Sequence, residues 1–198
     1  MNVKSDRRVK MTKLLLEKSL LDIVEKKTFA TISISEICKE ADVSRNTFYN
    51  HYNTTYDLLS EIEDRYYNEM IENIYSAEGG KNQLAALCTC MKDNARISRL
   101  VFLDDNSKLF KKLIEYTKTI FMDQFTIKIT TKNKQFFEKS HLFWVQGLTA
   151  LFNDWIANDF KESVEEFSEM LHFFSNNTID KVKQKLAASD GGEFNYTT

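Results

Sequence analysis

The chain has 198 residues, of which 42% are apolar and 28% charged, enough for a packed core in one large domain or two small ones and too apolar for an unfolded chain. It contains no proline and only 5 glycines, which argues against turn-rich β-sandwiches and barrels and favours long helices with few breaks. The net charge of −2 is unevenly divided: residues 1–56 carry 10 Lys+Arg against 7 Asp+Glu and residues 57–198 carry 17 against 22, so a basic head suited to an anionic partner precedes an acidic body.

The first helix is expected from about Asp6, its N-cap, to Lys26, because Val9, Leu14, Leu16, Leu20, Leu21, Ile23 and Val24 recur at helical spacing. Lys4, Arg7 and Arg8 at its start read as a flexible basic arm that would add salt-dependent affinity for a phosphate backbone. After a link around Thr28–Thr31, Phe29 and Ile32 are expected core anchors.

Residues 33–52 are the most informative stretch. Ser33 and Glu36 form a capping box that starts a short helix, whose apolar face is Ile34, Ile37, Cys38 and Ala41. Asp42 follows, a residue that tolerates a left-handed turn, and Val43 points inward. Ser44 is a second N-cap and opens a second short helix at Arg45. Phe48 and Tyr52 lie four apart on one face of it, with Phe48 in the core. Arg45, Asn46, Thr47, Tyr49, Asn50 and His51 are left for the other faces. Two short helices joined by a three-residue turn make a helix-turn-helix. Hydrogen-bonding side chains at the start of its second helix are suited to base edges in a major groove, and helix N-termini to phosphate. Two capped short helices also occur in purely structural roles; the exposed Asn, Thr, Tyr, Asn and His, with little Glu or Lys among them, favour DNA reading.

The pattern Ser33-x-x-Glu36-Ile37-x-x-x-Ala41-x-Val43-Ser44-x-x-Thr47-Phe48-Tyr49-x-His51-Tyr52, followed by Asp57-Leu58-Leu59, resembles the tetracycline-repressor-like (TetR) transcriptional regulators over about residues 8–60. The resemblance implies an all-α protein: an N-terminal three-helix domain with the helix-turn-helix over residues 1–53, a connecting helix over 54–80, and a larger helical ligand-binding and dimerisation domain over 81–187. Residues 188–198 read as a loose tail. Ser33, Ser44, Arg45, Asn46, Thr47, Tyr49, Asn50, His51 and Thr55, with Lys4, Arg7 and Arg8, are the expected DNA-contacting residues. Two positions depart from the family pattern. Asp42 stands where the family usually has Gly, and Thr55 stands where it often has a phosphate-gripping Lys, which removes one charged contact.

A long helix is expected from about Thr54 through Ile74, ending at Ala77–Gly80. The body reads as helices near 82–95, 97–103, 106–128, 134–158 and 163–186, with polar breaks at Asp104-Asp105-Asn106 and Thr130-Thr131-Lys132-Asn133. Candidate pocket residues are Phe102, Phe110, Tyr116, Phe121, Phe125, His141, Phe143, Trp144 and Gln146; each aromatic can equally be plain core, and His141, Gln146 and Asn153 can orient a ligand or satisfy an interface. His172 reads as an interface or surface residue. The stretches 143–156 and 167–174 are apolar on more than one face, which implies burial on two sides. Leu148, Phe152, Trp155, Phe167, Leu171 and Phe174 are therefore expected in a homodimer interface, and the family resemblance implies the same pair of helices.

The apolar runs are too short to span a membrane, and Glu17 and Lys18 interrupt the one candidate signal-peptide core, so a cytoplasmic protein is expected. Cys38, Cys88 and Cys90 are too few for a disulfide framework. On a helix, Cys88 and Cys90 point about 200° apart and cannot pair. They read as reduced thiols, with redox sensing as the alternative. Neither a metal site nor a cofactor is expected, and no motif of an enzyme is present. The expected function is that of a ligand-controlled, dimeric transcriptional regulator, a repressor on a palindromic DNA operator with an unidentified small-molecule effector. The alternative is a TetR-like protein-interaction module that acts as a coactivator through a partner protein.

Overall fold

The computed structural model describes residues 3–102, 107–124 and 133–189, with side chains from residue 7 to residue 188 within them. Those residues form nine α-helices, one short 3-10 turn at Phe29–Thr31, and no strand. The helices are α1 (Val3–Val24), α2 (Ile34–Glu40), α3 (Arg45–Tyr49), α4 (Thr55–Ser76), α5 (Gly80–Asp93), α6 (Ala95–Phe102), α7 (Lys108–Asp123), α8 (Lys134–Ala157) and α9 (Val164–Ser189). The all-α expectation holds, because a chain without proline and nearly without glycine leaves long helices unbroken. Expected breaks at 104–106 and 130–132, the pocket candidate Phe125 and tail residues 190–198 lie outside the described residues.

α1 begins before its expected cap. Asp6 lies inside the helix, and so do Lys4, Arg7 and Arg8. The basic segment is therefore a helix rather than a flexible arm, since nothing in Val3–Val24 breaks helical hydrogen bonding. Arg7 and Arg8 are exposed on it, and the side chain of Lys4 is outside those described. At the other end of the chain, α9 runs two residues into the stretch read as a tail.

α2 starts on the Ser33–Glu36 capping box, with both reciprocal hydrogen bonds formed. It ends in a Schellman-type cap: the Val43 N–H donates to the Cys38 carbonyl at 3.0 Å and that of Asp42 to Lys39 at 3.4 Å. Asp42 carries the left-handed backbone this cap needs, with φ +52°. That conformation costs a residue with a Cβ about 1 kcal/mol and glycine almost nothing. Asp42→Gly should therefore stabilise the chain by about 0.5–1 kcal/mol, read as a rise in the urea midpoint; an unchanged or lower midpoint would contradict the strain.

The core is continuous from head to body. Leu16, Leu20, Ile37, Phe48 and Leu58 of the head join Ile62, Tyr66 and Met70 of α4, and these join Met91, Trp155 and Leu171. α4 thus gives its buried face to both ends. Its polar contacts do the same. Arg65 pairs with Glu17 of α1, while buried Glu63 accepts from Ser107 Oγ at 2.8 Å, the hydroxyl that also caps α7. Arg96 of α6 reaches back to Asp22 of α1 and to Glu25 just beyond its end. Tyr66 donates to Ser98, whose own proton goes to the Met91 carbonyl at 2.8 Å.

α4 and α5 are joined through Gly79, whose φ of +81° is a conformation that glycine adopts freely. A second core cluster, with Phe121, Phe137, Trp144, Ile179 and Leu186, closes the far end of α7, α8 and α9. All three cysteines are buried and free. Burial pushes the Cys88 thiol up to about 12 and the Cys90 thiol up to about 11 and raises that of Cys38, which disfavours the thiolate a redox sensor needs.

Candidate nucleic-acid interface and body cavity

α3 is held by its cap and by one aromatic anchor. Ser44 Oγ accepts from the Thr47 N–H at 3.0 Å and lies 2.9 Å from the Thr47 hydroxyl. Phe48 is fully buried, its ring edge-on to Tyr49 and 5.6 Å from Tyr52. The Tyr52 ring in turn carries Lys13 Nζ over its face at 5.3 Å, and Lys13 pairs with Glu61 of α4 at 2.7 Å. One turn of helix is thereby pinned between α1, α2 and α4.

With Phe48 inside, Arg45, Asn46, Tyr49 and Asn50 face solvent, and Tyr49 is 54% exposed. These four form the exposed surface of α3 and its C-cap, Asn50, expected from the sequence. Ser33 and Ser44 are also exposed, at the N-termini of α2 and α3. The Arg45 guanidinium is bonded to Ser35 Oγ of α2, which orients it across the two helices. Thr47 is half-buried with its hydroxyl in the cap, so it is less free to reach a ligand than its neighbours. His51 is half-buried beside Tyr52. Thr55 is the first residue of α4; Thr54 before it is the N-cap, in a capping box with Asp57.

The same kind of cap fixes the start of α2 electrostatically. Lys27, together with the Ser33 N–H and hydroxyl, holds the Glu36 carboxyl down to about 2 from an ordinary 4.5. A carboxyl lowered on folding stabilises at pH values above its unfolded pKa and loses that contribution as pH falls toward its folded pKa. Acid should therefore begin to destabilise the head between about pH 4.5 and 2 through Glu36. Thermal melts of wild type and Glu36→Gln should differ at pH 6 and converge at pH 2; a gap independent of pH would refute the assignment.

In the body, a cavity of about 200 Å³ lies between α4, α5, α7, α8 and α9. Of the residues expected in a pocket, Phe102, Phe110, Tyr116 and Trp144 line it. Phe121 packs behind Trp144 at 5.2 Å and is fully buried. His141 packs beside both Phe121 and Trp144, 3.4 Å from Thr117 Oγ1. Burial, aided by nearby Lys118, holds its imidazole below the ordinary range. Phe143 and Gln146 are corrections. Both face solvent, and Phe143 is 72% exposed, because they flank Trp144 and Val145 in the chain and the helical turn carries them to the opposite face.

The expected interface residues are corrected more heavily. Leu148 borders the cavity. Phe152, Trp155, Phe167 and Leu171 are buried in the chain's own core, where Trp155 stacks on Phe167 at 4.2 Å and Phe167 meets Phe152 edge-on at 5.6 Å. Only Phe174 is exposed, at 47%, beside Phe173. Periodicity reveals that α8 and α9 have two apolar faces, but not which face meets the chain's own core. Sequence reasoning also missed Met70 and Ile74 of α4 as cavity residues, and His172, Ser175 and Asn176 of α9. The α9 residues share one face at helical spacing, a signal that mixed polarity concealed.

Residues 80–177, the stretch that encloses most of this cavity, match the model of a TetR C-terminal family described as "Transcriptional regulator C-terminal region". Over these residues the chain belongs to the TetR-like family of transcriptional regulators. It is 27% identical over 97 residues to the HTH-type dhaKLM operon transcriptional activator DhaS of Lactococcus lactis subsp. lactis (strain IL1403), which is 49% of this regulator and 52% of that protein. It is 39% identical over 70 residues to the HTH-type transcriptional regulator YxbF of Bacillus subtilis (strain 168), covering 35% of the regulator and 18% of YxbF. The matched segments thus span about half of the first relative and about a fifth of the second. In fold, the regulator resembles the solved structure of a dihydroxyacetone kinase operon activator DhaS, with a TM-score of 0.55, 20% identity, and 87% and 97% of the two chains covered. These relatives are transcriptional regulators, not enzymes. No helix among the described residues is long and apolar enough to cross a membrane, and no group of three His, Cys, Asp or Glu among them could hold a metal ion.

Proposed function

We propose that this regulator binds a palindromic DNA operator as a homodimer, with α3 as the reading helix, and that a small-molecule effector in the body cavity controls that binding. The observation that carries the reading is the surface of α3: Arg45, Asn46, Tyr49 and Asn50 face out over a fully buried Phe48. Asn46 and Asn50, one turn apart, are suited to base edges, while Tyr49 and His51 are suited to phosphates. Arg7 and Arg8 on α1 add non-specific attraction. Thr55 in place of a lysine supplies a hydroxyl instead of a charge, which lowers the salt dependence by about one phosphate contact.

Effector control rests on α4. Met70 and Ile74 line the cavity, and the first half of the same helix is tied to α1 of the head by the Glu61–Lys13 and Arg65–Glu17 pairs. An occupant that moves Met70 shifts the head and alters the separation of two reading helices, which must be about 34–36 Å apart or a multiple of that on B-DNA. The outer face of the body supports a dimer. Leu142 and Phe143 of α8 and Phe173 and Phe174 of α9 are exposed. The name of the Lactococcus relative, an operon activator, favours activation over the repression expected from the sequence; a reporter fused to the chain's own target promoter distinguishes them.

The test is a binding assay against a randomised palindrome library. Asn46→Ala should cost about 1–3 kcal/mol and relax the preference at one base pair, and Tyr49→Phe should weaken all sequences alike. If Asn46→Ala and Asn50→Ala leave both affinity and selected sequence unchanged, α3 is not the reader, and action through a partner protein takes its place.

A further inference from the structure

The chemistry of the cavity limits what it can accept. Its walls are mainly leucine, isoleucine, methionine and aromatic side chains, and among the described residues no Lys, Arg, Asp or Glu lines it. A carboxylate, phosphate or ammonium placed there would lose its water with no Lys, Arg, Asp or Glu among the described residues to pair with it. The nearby charges lie outside. Lys81, paired with Glu169 at 2.8 Å, and Asp180 border an outer depression. This depression is divided from the cavity by His172 and Asn176, whose ring and amide nitrogens are 2.9 Å apart. An apolar cavity of about 150 Å³ accommodates benzene, so about 200 Å³ suits an occupant of roughly eight non-hydrogen atoms.

Gln83, Thr117, Gln124, Thr149, His172 and Asn176 also line the cavity, and among its polar groups Ser175 is placed to grip such a molecule. Ser175 borders the cavity and is only 7% exposed. Its Oγ accepts from the Trp144 indole N–H at 2.9 Å, while its own hydroxyl proton has no acceptor among the described residues. Its neighbours Asn177 and Thr178 donate back to carbonyls one turn earlier in α9; Ser175 does not. The indole polarises this hydroxyl and strengthens it as a donor.

Building on the effector reading above, we infer that the cavity takes an uncharged molecule of one ring or one short chain, and that a hydroxyl or carbonyl oxygen of that molecule accepts a hydrogen bond from Ser175. The chemistry selects against nucleotides and amino acids, whose charged groups would find no Lys, Arg, Asp or Glu among the described lining residues.

The experiment titrates the full chain with benzyl alcohol, toluene, benzoate and benzylammonium, following the indole N–H signal of Trp144 by NMR, assigned with Trp144→Phe. Benzyl alcohol should bind about fivefold more tightly than toluene, the worth of one hydrogen bond, and at least about tenfold more tightly than either ion. The gap to toluene should vanish in Ser175→Ala; should that variant fail to fold, Ser175→Cys, a weak donor, should shrink the same gap. Benzoate or benzylammonium binding as well as benzyl alcohol, a gap that survives both substitutions, or no binding of any of the four would each overturn the inference. A DNA-binding assay with the same compounds separates the two readings. Benzyl alcohol that binds as stated but leaves DNA affinity unchanged defeats effector control and leaves the cavity chemistry standing; DNA affinity that answers only to an ion does the reverse.

Discussion

Phe48→Ala should unfold the head and abolish DNA binding, at a cost of about 3–5 kcal/mol. Phe48 has no exposed surface, and its ring packs against those of Tyr49 and Tyr52. It joins α3, a helix of only five residues, to the common core of α1, α2 and α4. So short a helix has no stability of its own and depends on packing. Removing the ring therefore takes away the support of every exposed residue on α3 at once. Circular dichroism and a chemical denaturation curve measure the loss. Binding should fail for all DNA sequences alike, unlike Asn46→Ala, where one base-pair preference relaxes. A Phe48→Ala protein that kept wild-type stability would contradict the packing described.

Leu171→Asp should collapse the body, whereas Phe174→Asp should leave the protomer folded and weaken its self-association. The two positions are three apart on α9 and opposite in environment. Leu171 is fully buried against the shared core, while Phe174 is nearly half exposed beside Phe173. A carboxylate at 171 loses a leucine's burial and adds an unpaired buried charge, together more than about 4 kcal/mol. At 174 the same carboxylate stays in water, and protomer stability should change by less than about 1 kcal/mol. Thermal melts measure the first effect. Sedimentation at micromolar concentration measures the second, with wild type at twice the mass of the chain and Phe174→Asp shifted toward the monomer. A wild-type monomer would refute the interface on this face, and a well-folded Leu171→Asp would refute the core assignment.

What could be read from residues alone was local. Ser33 with Glu36, Ser44 before Arg45 and the glycine pair at 79–80 declare helix ends, because a cap involves residues three or four apart and owes nothing to the rest of the chain. The inward Phe48 and outward Asn46, Tyr49 and Asn50 follow from helical spacing around one aromatic. The helical start of α1 was misread because an aspartate six residues in looks like a cap whether or not the helix precedes it.

The body depended on tertiary contacts. Phe143 and Trp144 are adjacent and equally apolar, yet one is exposed and the other lies beneath Ser175. Leu171 and Phe174 divide in the same way, and α4 turned from a plain connector into a wall of the cavity through Met70 and Ile74. An apolar pattern states that a face will leave water but not what covers it. For helices with two such faces, only the arrangement of α5, α7, α8 and α9 around one another decides which residues enclose a cavity, which fill the core, and which remain on the outside.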